Sequence, residues 1–442
     1  MTATRTSHRF LLCLLLWGML DLLCAALCEI HADEAYYRLY GQFLDWGYFD
    51  HPPMVALMTA LGGTLIGGSS LTLKNLSVRL VTVLLHMATV ALVWHTLDLP
   101  DRDDTRTQNR FLLLAGSAVM FCAYGFITAP DAPLLFFAAL FYYAYRRFLD
   151  RRSWADTVCL GLSMAGMLYS KYMGVLVIAL ALVANPRLLR DAKAWLAVAL
   201  AALLMTPHLY WQYSHHFPSF TYHLVDRATG YNPLFTLEYI PNQWAVFNPV
   251  IWVLMLWLGW RTLRSRDIWA RTMGWTVWGF QLFFLVMTVR GHVEPHWTMV
   301  SSIPAIILLT EEWCRPTASS PFAHKPWRIA LCSCFALVIA ARIVLMANIL
   351  PARTGLAGKQ PYYASLHEQA QSLPVVFDGS FQRPSLYRFY YDDQAVLVRN
   401  DHDRYTQFDL LHLEQDLMGQ PVCLMRHGTV TFVSSLTPDD LR

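Results

Sequence analysis

Long apolar runs separated by short polar segments recur over the first 347 residues, and they constrain the fold more than any other feature. The chain is 55% hydrophobic and 15% charged, whereas about 25% of the residues of a globular protein are charged. Within a bilayer, a helix satisfies its own backbone hydrogen bonds. The runs predict an all-α polytopic membrane protein with about eleven transmembrane helices. The predicted spans are residues 10–28, 76–97, 111–127, 133–148, 154–169, 171–184, 194–210, 246–260, 270–289, 297–309 and 327–347.

The distribution of positive charge supports this topology. If all eleven runs cross the membrane, every second connecting segment lies on the same side. The segments on one side contain nineteen Lys and Arg residues, and those on the other side contain six. Because positively charged loops stay on the cytoplasmic side, the N-terminus is predicted inside. The site and the C-terminus are then predicted on the outer side of the membrane. The net charge of +3 is too small to indicate a nucleic-acid partner.

Three segments need separate treatment. The run 10–28 is long enough to span and is predicted to be a retained helix, not a cleaved signal peptide. Segment 54–68 is short and glycine-rich, and it is predicted as an interfacial helix within a first outer loop, residues 29–75. Residues 348–442 are polar with short β-like runs at 374–377, 395–398 and 421–425, and with helix favoured near 409–417. The prediction is a transmembrane domain, 1–347, followed by a small soluble α/β domain on the outer side, 348–442.

Ionisable residues collect at the predicted outer helix ends. Charged groups at a membrane edge, on segments rich in aromatic residues, are typical of a reaction site. Each also has a plainer interpretation: a carboxylate can cap a helix, a lysine can extend to the interface, and tyrosines or tryptophans can form an interfacial belt. The candidates are Asp33, Glu34, Asp50, His51, Asp131, Lys171, Arg290, His292, Glu294 and His296; the belt candidates are Tyr36, Tyr37, Trp46, Tyr48 and Trp297.

An ordered set of motifs resembles a known family. The set comprises Asp33-Glu34-Ala35-Tyr36-Tyr37, Tyr48-Phe49-Asp50-His51-Pro52-Pro53, Thr128-Ala129-Pro130-Asp131-Ala132-Pro133 and Ser170-Lys171-Tyr172. It is similar to the bacterial branch of the dolichyl-phosphate-mannose protein mannosyltransferase superfamily, which includes the aminoarabinose transferases of lipid A. The resemblance extends over residues 10 to about 347.

The resemblance implies a GT-C glycosyltransferase that takes a sugar from a polyprenyl-phosphate donor with inversion. It places the protein in a bacterial inner membrane, with the site and the C-terminal domain on the periplasmic face. Asp33 would be the general base, with Glu34 beside it, and Asp131 the second acidic residue of the site. The donor phosphate would bind Lys171, with His51 and Arg290 as further candidates. A divalent cation, Mg, Mn or Zn, is considered at Asp50, His51, His292 and His296.

The sugar and the acceptor stay open. The aminoarabinose transferases carry a basic residue where this chain has Tyr36, and Glu-Lys where it has Asp50-His51. The acceptor is predicted only by class, as a lipid, glycan or protein. A polytopic transporter or flippase is the alternative, since intramembrane charges also line transport pathways; a transporter would carry them near the bilayer midplane on broken helices.

Overall fold

The computed structural model describes residues 7–99, 101–227, 230–317, 319–350, 354, 356–391, 395–398, 405–426 and 429–441. Helices dominate the first 346 residues. They are α1 His8–Leu27, α2 Ala32–Gln42, α3 Met54–Leu65, α4 Leu71–Thr96, α5 Thr105–Ser117, α6 Val119–Ala123, α7 Asp131–Arg151, α8 Trp154–Ser170, α9 Gly174–Ala184, α10 Ala192–Ser214, α11 Pro218–Thr221, α12 Pro233–Phe247, α13 Pro249–Thr262, α14 Ile268–Met287, α15 Ser302–Cys314 and α16 Lys325–Met346.

Each predicted span corresponds to a helix or to a broken helix, so the helical assignment is confirmed. The number of crossings is not. By length and apolarity, four helices of the described part qualify as spans, α1, α4, α10 and α16, and the bent pair α12–α13 would add a fifth. On α1, leucines such as Leu12, Leu15 and Leu16 are more than half exposed, as expected of a surface that faces lipid.

Two breaks interrupt the apolar runs and meet each other. The run 111–127 is divided between α5 and α6 at Ala118, directly after a Gly-Ser pair. Helices α12 and α13 meet at an angle of 101°, with Asn248 at the bend in a positive-φ conformation. The Asn248 side-chain amide donates to the carbonyl of Ser117 at 2.7 Å, and its oxygen accepts from Ile251 N–H. One side chain therefore satisfies backbone groups that both breaks would leave unpaired.

A buried ion-pair network ties the first helix to the last one of the bundle. Asp21 of α1 accepts from Arg342 of α16 at 2.5 Å and lies 2.8 Å from Nδ1 of His86 on α4. The second guanidinium nitrogen of Arg342 donates to the carbonyl of Cys122 at the end of α6. All three side chains are buried, so the charges of Asp21 and Arg342 depend on each other for stabilisation.

The C-terminal part contains a four-stranded sheet with the order β2-β1-β3-β4. Strand β1 pairs in parallel with β2 and β3, and β3 pairs antiparallel with β4. The bounds are β1 Val375–Asp378, β2 Val396–Val398, β3 Val422–Arg426 and β4 Thr429–Val433, with helices α17 Lys359–Ala370, α18 Gln382–Tyr391 and α19 Gln407–Leu411. This region contains both helices and strands, and β4 was missed; a separate α/β domain with its boundary at residue 348 stays a prediction.

This sheet region packs on the outer helices. Phe377, Tyr387 and Phe408 share one hydrophobic core with Tyr36 and Tyr40 of α2. Polar contacts complete the join: Gln407 N–H donates to the Tyr36 hydroxyl at 2.7 Å, and the Lys74 ammonium donates to the carbonyl of Tyr390 at 3.0 Å. Tyr36, Tyr37 and Tyr48 are buried, so the belt interpretation is wrong for these three residues, whereas Trp46 is exposed.

Candidate active site

The first turn of α2 separates its two carboxylates. His31 precedes the helix, its ring Nδ1 accepts from Asp33 N–H at 3.3 Å, and its own N–H donates to Glu34 at 2.9 Å. This reciprocal cap fixes the first turn, and adjacent side chains on a helix point in different directions. As a result, the Asp33 side chain is 43% exposed while that of Glu34 is 1% exposed.

Glu34 is held in a buried ion pair. Arg79 of α4 donates to both of its oxygens, at 2.7 and 2.6 Å, and Thr128 N–H donates to one of them at 2.8 Å. Burial raises the pKa of Glu34, but Arg79 and these hydrogen bonds outweigh it, so its pKa is lowered. The carboxylate joins α2 to α4 and to the segment before α7. With its side chain 1% exposed, Glu34 is not accessible to a sugar acceptor in this arrangement.

A second buried pair forms between Asp131 and Lys171. Asp131 is the first residue of α7, and Lys171 directly follows α8. The Lys171 ammonium lies 2.9 and 2.7 Å from the two Asp131 oxygens, and both side chains are at most 8% exposed. His296 Nε2 lies 3.7 Å from the same carboxylate, and burial lowers the pKa of His296 to about 4. His296 is therefore neutral near pH 7.

The loop between α2 and α3 contributes Asp50 and His51. The Tyr40 hydroxyl donates to the Asp50 carboxylate, and His223 Nε2 lies 2.8 Å from the Asp50 carbonyl. His51 Nε2 lies 3.3 Å from the Tyr37 hydroxyl. Burial lowers the pKa of His51 to about 3, against the opposing effect of Asp50. His51 can exchange hydrogen bonds with a phosphate, but it brings no positive charge at neutral pH.

Contacts from α10, α11 and the C-terminal region hold this loop in place. Trp211 Nε1 donates to the Asp45 carboxylate at 2.7 Å, and Ser219 donates to the Tyr48 carbonyl at 2.7 Å. On the other side, Phe49 N–H donates to the Gln407 side chain at 2.8 Å. Backbone groups of the loop are thus satisfied from two directions, which favours a rigid position for Asp50 and His51.

The buried hydroxyl of Tyr37 and the half-buried hydroxyl of Tyr124 lie near the three predicted aspartates. Burial raises the pKa of Tyr37 most, followed by the charges of Asp33, Asp50 and Asp131. Tyr124 follows α6, and its ring lies 5.8 Å from that of His296, which is next to Asp131. Both hydroxyls stay protonated and can donate to an oxygen. The structure therefore brings together residues that are up to 98 positions apart in the sequence.

Arg227 adds a cation that the sequence interpretation did not single out. It pairs with Glu294 at 3.1 Å, and its guanidinium lies 4.4 Å from the centre of the Trp297 ring. Its charge also lowers the pKa of His296. Tyr37 could have been found from sequence, because it follows Asp33 by four positions and so shares its helix face. Arg227 carries no such signal.

Two predicted residues lie at the rim. Arg290 is exposed and donates to the Leu224 carbonyl at 3.0 Å. His292 is 44% exposed, lies 3.8 Å from Glu294 and contacts the Phe235 ring. Among the described residues, no three His, Cys, Asp or Glu side chains are placed to hold a metal ion. The structure does not gather Asp50, His51, His292 and His296 into one ligand set, and we derive no step through a metal.

Comparisons with known proteins agree with this fold and these motifs. Residues 50–211 match the model of the dolichyl-phosphate-mannose-protein mannosyltransferase family, a range that contains Asp50, His51, Asp131 and Lys171. The crystal structure of apo ArnT from Cupriavidus metallidurans superposes with a TM-score of 0.63 over 94% of this chain and 92% of that one, at 15% identity. The chain has the fold of ArnT. The same enzyme bound to undecaprenyl phosphate gives a TM-score of 0.62 over the same shares, also at 15% identity.

A curated relative adds a likeness in sequence. The lipid A galacturonosyltransferase RgtD of Rhizobium johnstonii is 28% identical over 295 residues, which is 63% of this chain. The match spans 60% of that relative's length. Together these findings confirm the resemblance to the bacterial GT-C glycosyltransferases of the ArnT type that the motifs indicate.

Proposed function

We propose that this protein is a membrane glycosyltransferase that moves a sugar from a polyprenyl-phosphate-linked donor to a hydroxyl acceptor, with inversion. The observation that carries the proposal is the buried Asp131–Lys171 pair beside the exposed Asp33. The relatives support the substrate classes, since one solved structure holds undecaprenyl phosphate and one relative is named for lipid A. A lipid acceptor is therefore favoured over a glycan or a protein.

Asp33 is the base in this proposal. The acceptor oxygen attacks the anomeric carbon while the bond between that carbon and the phosphate oxygen breaks, and the acceptor proton passes to Asp33. Of the three aspartates, Asp33 has the most exposed side chain, whereas Asp50 and Asp131 are 5% and 2% exposed as residues. An acceptor can reach Asp33 without separating a buried ion pair. Attack from the face opposite the phosphate inverts the anomeric centre.

Lys171 stabilises the leaving phosphate. An ammonium group has three N–H donors, and two of those of Lys171 bind the Asp131 carboxylate. The third donor is available for a phosphate oxygen. Arg227 supplies a further positive charge nearby. His51, His296 and the hydroxyls of Tyr37 and Tyr124 can add neutral hydrogen bonds. Asp131 then acts as a positioning residue for Lys171, and Arg290 stays a prediction for the donor.

Glu34 has a positioning role in the same proposal. Its pairing with Arg79 fixes the first turn of α2 and so the direction of Asp33. The tyrosine-lined contact between α2 and the C-terminal region supports the same helix from its other side. We place the site and the C-terminal region on the periplasmic face of a bacterial inner membrane, on the strength of the charge asymmetry.

In the structure, the transporter alternative rests on the break between α12 and α13, which meets the break between α5 and α6. Broken helices line transport sites when ionisable residues or ion-binding carbonyls meet there. Here the bend is occupied by the neutral Asn248, and its amide is bonded to Ser117 and Ile251. The ionisable residues of the candidate site lie instead around the start of α7 and the end of α8, and the buried Asp21, His86 and Arg342 of the bundle are paired with one another. This arrangement favours the enzyme.

Transfer of radiolabelled sugar tests the proposal. Membrane vesicles that contain the protein receive polyprenyl phosphate carrying a labelled pentose or hexose, and the label is followed into lipid, glycan and protein fractions. We expect transfer by the native chain and by Asp103→Asn, an exposed carboxylate away from the site, but not by Asp33→Asn. Movement of the intact donor across the vesicle without any transferred label would instead establish the transporter.

A further inference from the structure

A charged cavity lies at the opposite end of the bundle from the candidate active site. It has a volume of about 370 Å³ and opens between the end of α7, the segment after α9 and the start of α14. Asp131 begins α7 and the cavity lies at its other end, so the 21 residues of α7 separate the two places by roughly 30 Å. This is about the thickness of the hydrocarbon core of a bilayer.

The charges of the cavity favour an anion. Four arginines line it against three aspartates. Arg152 pairs with Asp191, and Arg146 pairs with Asp98 and Glu311, which leaves Arg187 and Arg266 to favour an anion. Two of the aspartates, Asp191 and Asp267, already cap the helices α10 and α14 through backbone N–H groups. Arg187 and Arg266 form no ion pair among the described residues.

Two lining residues carry buried polar atoms that lack a partner. Asn185 is 4% exposed and Trp269 is 5% exposed. The side-chain oxygen of Asn185 and the indole N–H of Trp269 have no hydrogen-bond partner within the described part of the chain. Buried polar atoms of native proteins are nearly always bonded, so an acceptor and a donor in one cavity point to a ligand that has both.

An apolar crevice adjoins the cavity. It lies between α7, α8, α9 and α10, and it shares Phe148 and Leu188 with the charged cavity. Its other lining residues are almost all apolar, and they include Leu160, Met164 and Ile178. The Tyr145 hydroxyl lies at the junction, where it accepts from the Asn185 amide at 3.1 Å. A charged end joined to an apolar channel matches the shape of one amphipathic molecule.

We propose that this cavity and crevice bind an anionic phospholipid, with the phosphate headgroup among the arginines and an acyl chain in the crevice. Glycerol hydroxyls and phosphate oxygens together supply the donor for Asn185 and the acceptor for Trp269. Basic pockets between helices at the positively charged face of a membrane protein suit such headgroups. Free phosphate offers the same anionic oxygens to the arginines, but only a lipid also has an acyl chain that occupies the crevice. The proposal is independent of the sugar transfer at the other end.

Lipid titration of the purified full chain in detergent micelles tests this site. Phosphatidylglycerol, phosphatidylcholine and inorganic phosphate are added in separate series, and binding is followed by the melting temperature and by native mass spectrometry. The test variant is Arg187→Gln with Arg266→Gln, and the matched control is Arg190→Gln with Arg264→Gln, two neighbouring exposed arginines outside the lining. Each lining arginine is expected to contribute about fivefold in affinity, so the test pair should bind phosphatidylglycerol about 25-fold more weakly.

The native chain and the control should bind phosphatidylglycerol alike and more tightly than phosphatidylcholine. Equal affinities of the test and control pairs would overturn the site. Equal stabilisation by millimolar phosphate alone would overturn the lipid as occupant. If the test pair does not fold, Trp269→Phe, which removes only the indole N–H, should still lower the affinity for phosphatidylglycerol about fivefold; unchanged affinity there would also overturn the proposal.

Discussion

The Asp131–Lys171 pair allows stability to be separated from donor binding. Lys171→Met leaves the Asp131 carboxylate buried without its partner, and breaking such a pair costs about 3–5 kcal/mol of unfolding free energy. Adding Asp131→Asn removes the stranded charge, so the double variant should recover most of that loss. For 442 residues, the usual entropy of unfolding gives roughly 1 °C per kcal/mol. We expect Lys171→Met to melt about 3–5 °C lower and the double variant to melt within about 2 °C of the native chain.

Donor binding should not recover with stability. A charge-assisted hydrogen bond to phosphate contributes about 1.5–3 kcal/mol, and both variants lack the ammonium, so each should bind polyprenyl phosphate roughly 10- to 150-fold more weakly. The measurement is a melting curve in detergent together with a binding titration of polyprenyl phosphate. Asp103→Asn serves as the control for a neutralised surface carboxylate. Native affinity in the stable double variant would refute the phosphate role of Lys171 and leave the pair as a structural link between α7 and α8.

Three other measurements test the remaining assignments. Asp33→Asn should lower turnover about 100-fold or more with little change in melting temperature, whereas Glu34→Gln should chiefly lower the melting temperature; the reverse pattern would move the base to Glu34. In the folded protein the pKa values of His51 and His296 are about 3 and about 4, below the unfolded value of about 6.5. The unfolded chain therefore binds more protons, and the free energy of unfolding should fall as the pH drops below about 6.5. His51→Gln and His296→Gln should each make this pH dependence weaker, and an unchanged pH dependence would contradict the neutral imidazoles. The orientation in the membrane is tested with an impermeant thiol reagent on spheroplasts, in a Cys332→Ser background. Gln369→Cys should react and Arg264→Cys should not; the opposite result would mean that the predicted orientation of the protein in the membrane is wrong.

The helices of the bundle were predictable because apolarity marks them directly. Even the run 154–184 proved to be two helices, α8 and α9. Helix α12 was missed, since Pro241 and its polar neighbours interrupt the apolar pattern between Pro233 and Phe247. Strand β4 was missed for another reason. Its burial pattern is mostly exposed, so the alternation of Thr429–Val433 gives no buried face to recognise.

The site was predicted as a set of helix ends, but its pairings were not. Sequence places Asp131 and Lys171 at outer ends without showing that they touch, and it gives no sign that Glu34 finds Arg79. Such pairs depend on how helices pack across 40 or more residues, which composition and periodicity do not encode. The neutral state of His51 likewise depends on burial by neighbours that are distant in sequence.

The network of Asp21, His86 and Arg342 has a consequence for biogenesis. During synthesis, Asp21 meets its first partner, His86, 65 residues later, but Arg342 follows only after 321 residues. At about 5–20 residues per second, the carboxylate waits roughly 15–65 s for its counter-charge. The arginine then enters a membrane that already holds its acceptor. A chain truncated before α16 keeps an incompletely neutralised acid in its first helix, which gives cellular quality control a means to distinguish unfinished copies from finished ones.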